Sequence, residues 1–317
     1  TFDLIGLPPT PEEVDAFLKD RSSDDKAFTK VVDRLLEDSR YGEQWGRHWL
    51  DVVRYADSSG FSNDYERQNA WRYRDYVIRS FNQDKPFDQF VVEQVAGDEW
   101  DPENPEALIA TGFLRMGPWE HTAMSVARET RQQYLDDVTA SVGQVFMSHP
   151  LQCASCHDHK FDPIPTKDYY RIQAVFATTQ FVDREVPFQD YETLAGFDEK
   201  VVMEKRMQYF KDMRDRLNKQ SNEALKAWCL ENGLEYGTRK QLLDRGVSVD
   251  DLPRNIGLTL EEIGVRKVGQ KNVERTEFEM KKFEPYAFSV YSGLSPKQSV
   301  KSGGMMKMPK KSSGFGF

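Results

Sequence analysis

The chain has 317 residues, 38% of them apolar and 30% charged, with 52 acidic against 43 basic residues and a net charge of -9. That length buries a sizeable core as one large domain or two ordinary ones without disulfide staples. The basic residues are interleaved with acids, which argues against nucleic acid as a partner, and no run approaches the ~18 uncharged apolar residues of a membrane span.

The chain opens at Thr1 rather than Met and reads as a segment of a longer protein. Thr10-Pro11-Glu12-Glu13 has the capping-box order, with a hydroxyl at the N-cap, Pro at the first helical position and Glu at N3. It predicts a short helix with Val14, Phe17 and Leu18 inward. Ser23 caps a second helix carrying Phe28, Val31, Leu35 and Leu36. A third places Trp45, His48, Trp49, Val52 and Ala56 on one apolar stripe. A polar loop follows over 57–64, and two further helices carry Tyr73, Val77, Phe81 and then Phe87, Phe90, Val91 and Val95.

After the apolar run from Leu108 to Met116, the periodicity predicts a long helix from about Glu129 to Met147, stopped by Pro150. Thr166 caps the next helix, with Tyr169, Ile172, Val175 and Phe176. From 198 the chain turns strongly charged with only a thin apolar stripe, the pattern of a solvated helical arm. A second capping box stands at Thr259 and Glu262, and 270–291 offers a strand or two. The expected fold is mainly α, an irregular multi-helix domain with long loops, a charged helical arm and little β structure. Its expected parts are a helical domain over 1–197, the arm over 198–232, a small mixed α/β continuation over 233–300 and a flexible linker over 301–317.

Cys153-Ala154-Ser155-Cys156-His157 is the chemistry-bearing element. Two thiols three residues apart reach the two vinyl groups of one porphyrin, and the adjacent imidazole then falls under the iron, so Cys153, Cys156 and His157 are expected to bind haem c and His157 its iron. A redox dithiol is a rival, though no thioredoxin-like strand-to-helix unit surrounds the pair. Zinc is another, because Cys153, Cys156, His157 and His159 offer four donors within seven residues, although neighbours at 156 and 157 strain a tetrahedron. His48 is the first candidate for the iron's second axial position, with His149, His121, Met116 and Met147 behind it. Asp51, Arg54, Asp57, Asp64, Arg72, Arg74 and Asp75, set among Tyr55, Tyr65, Trp71, Tyr73 and Tyr76, form either an ion-paired surface or a polar ligand pocket.

Several blocks together resemble a family. Leu4 through Glu13, Tyr41 through Asp51, Arg54 through Asp57, Ala70 through Ile78 and Cys153 through Pro165 are similar, in order, to the domain of unknown function of planctomycete-type cytochrome c proteins. Phe283 to Gly293 resembles the end of that domain. The resemblance implies covalent haem at Cys153, Cys156 and His157, with the His48 block matching a motif of unassigned role. It also implies an upstream cytochrome c domain and a downstream domain in the same polypeptide, and an extracytoplasmic location in the periplasm or at the cell surface. The function expected is electron transfer with a redox partner protein. The alternatives are haem-dependent oxidative or peroxidase-like chemistry on a small or carbohydrate substrate, and a zinc-stabilised interaction domain.

Overall fold

A computed structural model describes residues 1–61, 64–120, 126–252 and 254–292. His121 and the predicted linker over 301–317 lie outside the described residues. The chain divides into two compact units, Thr1–Glu192 resuming at Pro285, and Thr193–Glu284. As expected, the protein is mainly α.

In the first unit, α1 (Phe2–Ile5), α2 (Pro11–Lys19), α3 (Asp24–Leu36) and α4 (Arg40–Val52) follow in quick succession. The capping box forms, with the Thr10 hydroxyl accepting from the Glu13 amide and the Glu13 carboxylate from the Thr10 amide. The inward set assigned to α2 is corrected: Val14, Phe17 and Leu18 are all exposed, and no residue of that helix is buried.

The apolar stripe of α4 is also corrected. Trp45, His48, Val52 and Ala56 are exposed and only Trp49 packs partway into the core, while the buried positions are Gly42 and Gly46. They face α5 (Ala70–Asn82), where the Gly42 amide donates to Asn82 Oδ1 at 2.7 Å. A Cβ on Gly42 would stand 2.4 Å from the Ile78 carbonyl oxygen, so the approach is backbone to backbone. Gly42→Ala is expected to push the two helices apart and cost about 1–3 kcal/mol. Urea denaturation checks this, and an unchanged midpoint would mean that the helices part freely.

The core gathers around α5, α6 (Phe87–Trp100), α7 (Pro105–Ala110) with the 3-10 turn after it, and α8 (Ala127–Phe146). Tyr73, Tyr76 and Val77 of α5 are wholly buried, and the 108–116 run supplies Ile109, Phe113, Leu114 and Met116. Several buried polar side chains are paired: Tyr76 donates to Glu93, which also holds Lys85, and Trp49 and Tyr73 both donate to Gln94. Burying these groups unpaired would be costly.

After α9 (Thr166–Val175), β1 (Thr179–Glu185) pairs antiparallel with β2 (Tyr286–Ser292), from Thr179↔Ser292 to Glu185↔Tyr286. Four consecutive residues of β2, Ala287 to Val290, are buried, so it lacks the alternation that marks a half-buried strand.

In the second unit, α10 (Glu199–Glu231), α11 (Arg239–Asp244) and α12 (Leu260–Glu279) fill most of the span 193–284. The charged helix is not a solitary arm. It packs along α12, with Arg206 bridging to Glu279 at 2.6 Å and Arg214 reaching Gln270. Leu225 and Cys229 at its end close a small core with Leu242 and Leu252. The Thr259 capping box forms as expected, and a third at Thr238 and Gln241 starts α11. Of the 270–291 stretch, 270–279 is therefore helix, and the strand it was expected to offer is β2 at its end.

Candidate functional site

The Cys-His cluster occupies the connection from α8 to α9. Ser148 takes a left-handed conformation (φ 56°) to turn the chain off α8, and the His149 amide returns to the Gly143 carbonyl at 3.0 Å. Gly143 admits this return because a Cβ there would lie 2.4 Å from Leu151 Cγ. The chain then makes one 3-10 turn over Leu151–Ser155. Leu151 and Ala154 point inward against Tyr169, whereas Cys153 and Cys156, one and two residues from Ala154, are free and exposed.

Hydrogen bonds fix the rest of the loop. Tyr170 of α9 donates to the Ser155 carbonyl at 2.9 Å. The His159 amide donates to the Ile164 carbonyl at 2.9 Å, closing a turn, and the Asp158 carboxylate accepts the Thr166 amide at 2.8 Å. The expectation that the Thr166 side chain caps α9 is thus corrected: Thr166 is its first residue, and the capping oxygen comes from Asp158, eight positions earlier. Behind the loop, Asp136 of α8 accepts from Tyr169 at 2.9 Å and Gln173 at 2.8 Å. Burial, then this carboxylate, raises the Tyr169 phenol.

The two imidazoles of the loop differ in chemistry. His157 is exposed, and its Nδ1 stands 2.8 Å from the Asp158 main-chain oxygen. A carbonyl can only accept, so in the neutral ring the proton sits on Nδ1 and Nε2 keeps its lone pair. His159 has the opposite arrangement, because the amides of Asp162 (3.0 Å) and Phe161 (3.4 Å) both point at its Nδ1. The Asp162 carboxylate lies 3.2 Å from the same nitrogen, but the two converging amide donors assign it as the acceptor. His159 is therefore a brace, with a side chain only 8% exposed.

Two accessible thiols and an exposed imidazole whose Nδ1 faces a carbonyl form a donor set that fits covalent haem. Exposed apolar side chains lie on the loop and its flanking segments, Phe161 at 82% and Met147 and Tyr170 at 49% each, as a porphyrin's apolar faces require. For zinc, no three His, Cys, Asp or Glu side chains gather within reach of one ion among the described residues.

The second-ligand candidates are spread over several segments. His48 is exposed on α4, and its ring and hydrogen-bond neighbours, Trp45 and Gln44, are on its own helix. Met116 is buried in the main core at 2% exposure, Met147 is exposed, and His149 lies beside its own loop against the Ser148 carbonyl.

The charged set around α5 gathers only in part: Tyr55, Asp57, Arg74 and Asp75 lie within electrostatic reach of one another, while Arg72 is committed elsewhere. Arg72 is wholly buried and holds Glu192 through two oxygens at 2.6 and 2.8 Å, together with the carbonyls of Val186 and Pro187. Arg54 reaches Asp137 of α8, Asp64 accepts the Gly60 amide, Tyr55 donates to Asp57, and Arg74 pairs with its neighbour Asp75. Tyr73 and Tyr76 are core residues. Outside the predicted set, Arg67 is buried with its guanidinium on the Met116 and Gly117 carbonyls, and burial, then the nearby Arg115, lowers its pKa to about 10.

Together these features define a mainly helical domain that presents an exposed Cys-x-x-Cys-His loop on a braced turn between two helices. The chain belongs to PSCyt2, a protein family of unknown function (DUF1549) associated with planctomycete-type cytochromes c, whose profile matches residues 1–181. The match includes the loop and stops before the second unit. No curated protein and no solved structure matches the chain.

Proposed function

We propose that this chain is the haem c-bearing domain of a larger exported protein and that it carries electrons. The observation that carries the reading is the loop itself: two free, exposed thiols three residues apart, followed by an imidazole whose Nδ1–H is committed to the Asp158 carbonyl. Cys153 and Cys156 would hold the porphyrin by thioethers, and Nε2 of His157 would meet its iron. Bound haem supplies a one-electron ferric/ferrous couple. The chain's own contribution is orientation, through the Leu151 and Ala154 anchors and the Tyr170 bond to Ser155.

Covalent haem attachment takes place outside the cytoplasm in bacteria, so the proposal includes an extracytoplasmic location. No helix among the described residues is long and apolar enough to cross a membrane. The electron partners under this reading are an upstream cytochrome c domain, a downstream domain of the same polypeptide and a separate redox protein. Electron transfer is preferred to oxidative catalysis because Arg72 and Arg54, two of the cations of that set, are spent on ion pairs with Glu192 and Asp137.

A pyridine haemochrome spectrum after acid-acetone extraction, on protein matured with the haem-attachment machinery, tests the reading. The expected result is haem that stays with the protein and gives a c-type α band. Colourless protein containing stoichiometric zinc would replace the proposal with the zinc reading.

A further inference from the structure

We propose that Asp158 is a positioning residue that sets the tautomer of His157. The inference takes its purpose from the haem reading, but its physical content concerns the protein alone. Free histidine favours the proton on Nε2, which would leave Nδ1 as the only lone pair, close to the backbone and sterically poor as a ligand. The structure holds the reverse, with Nδ1 at 2.8 Å from the Asp158 oxygen.

Asp158 touches two things at once. Its carboxylate accepts the first amide of α9, from Thr166, at 2.8 Å, and its main-chain carbonyl accepts from His157. The carboxylate bond favours the helix N-terminus, where unpaired amides and the helix dipole attract negative charge. Residue 158 is pinned from the other side too, because the next amide, of His159, is bonded to the Ile164 carbonyl at 2.9 Å. Held at both points, the peptide between 158 and 159 has its carbonyl aimed at the preceding imidazole. The start of α9 thereby reaches the ligand nitrogen: its amide fixes a carboxylate, the carboxylate fixes a peptide plane, and that plane holds the proton on Nδ1. Outer partners of this kind orient a metal-binding histidine and raise its basicity.

The test uses the full 317-residue chain, haem-free and reduced, with nitrogen-15 in its histidines. Long-range proton–nitrogen correlation spectra are recorded at a pH where imidazole is neutral, and the His157 signals are assigned by their loss in His157→Gln. Wild type and Asp158→Asn, which keeps the accepting oxygen, should show the Nδ1–H form. Asp158→Ala should raise the Nε2–H form several-fold. Thr166→Pro removes the donated amide from the other end at a position where proline suits a helix, so it should give the same shift and provides a second measure if Asp158→Ala folds poorly. A wild type dominated by Nε2–H, or folded Asp158→Ala or Thr166→Pro protein with the wild-type tautomer, overturns the inference. A failed haemochrome test leaves these spectra unaffected, so the two ideas fail separately.

Discussion

Cys153→Ala/Cys156→Ala protein, matured beside wild type, is expected to contain no covalently bound haem, and each single substitution to leave at most one thioether. The effect is expected to be all or none because no other thiol is in a position to substitute: the third cysteine, Cys229, is buried in the second unit. The fold should survive. Both side chains are exposed, and surface substitutions of this kind usually cost within about 0.5 kcal/mol. The loop is held by other groups, Leu151 and Ala154 inside and the Tyr170 bond outside. Loss of absorbance at an unchanged denaturation midpoint would therefore report attachment rather than unfolding. Denatured double-variant protein that still carries haem through extraction would refute the assignment.

Glu192→Ala is expected to be the most destabilising single substitution outside the loop, at about 3–5 kcal/mol, because it strands a buried guanidinium. Arg72 and Glu192 have no exposed side-chain area, and the carbonyls of Val186 and Pro187 cannot neutralise the charge left behind. Replacing both partners, as in Arg72→Met/Glu192→Leu, removes the stranded charge with the pair and should recover most of the loss. Denaturation midpoints of the two single variants and the double variant form the measurement. A Glu192→Ala protein of wild-type stability would show that water reaches Arg72.

Much of the architecture was legible in the chain. Thr10 and Thr259 start helices because a hydroxyl followed three residues later by glutamate is a local hydrogen-bonding solution that needs no distant partner. The apolar run at 108–116 and the inner face of α8 were visible as periodicity, and both enter the core. The stripe on α4 misled because its bulky residues recur at helical spacing, while the packing uses Gly42 and Gly46, which carry no hydrophobic signal. β2 falls within the 270–291 stretch that offered a strand, but its pairing with β1 was hard to see because the partnership spans about a hundred intervening residues. Arg72 read as part of a charged surface because its partner, Glu192, is 120 positions away.

The amino-acid order by itself determined the helical class, the capped helix starts and the presence of two thiols and an imidazole in one pentapeptide, since each depends on residues within a turn or two of one another. Only the tertiary structure decided that the thiols face outward, that His157 and His159 hold their protons on opposite nitrogens, and that Asp158 rather than Thr166 caps α9. Those outcomes depend on where a carbonyl, an amide or a glycine from another segment arrives, and nothing local specifies that.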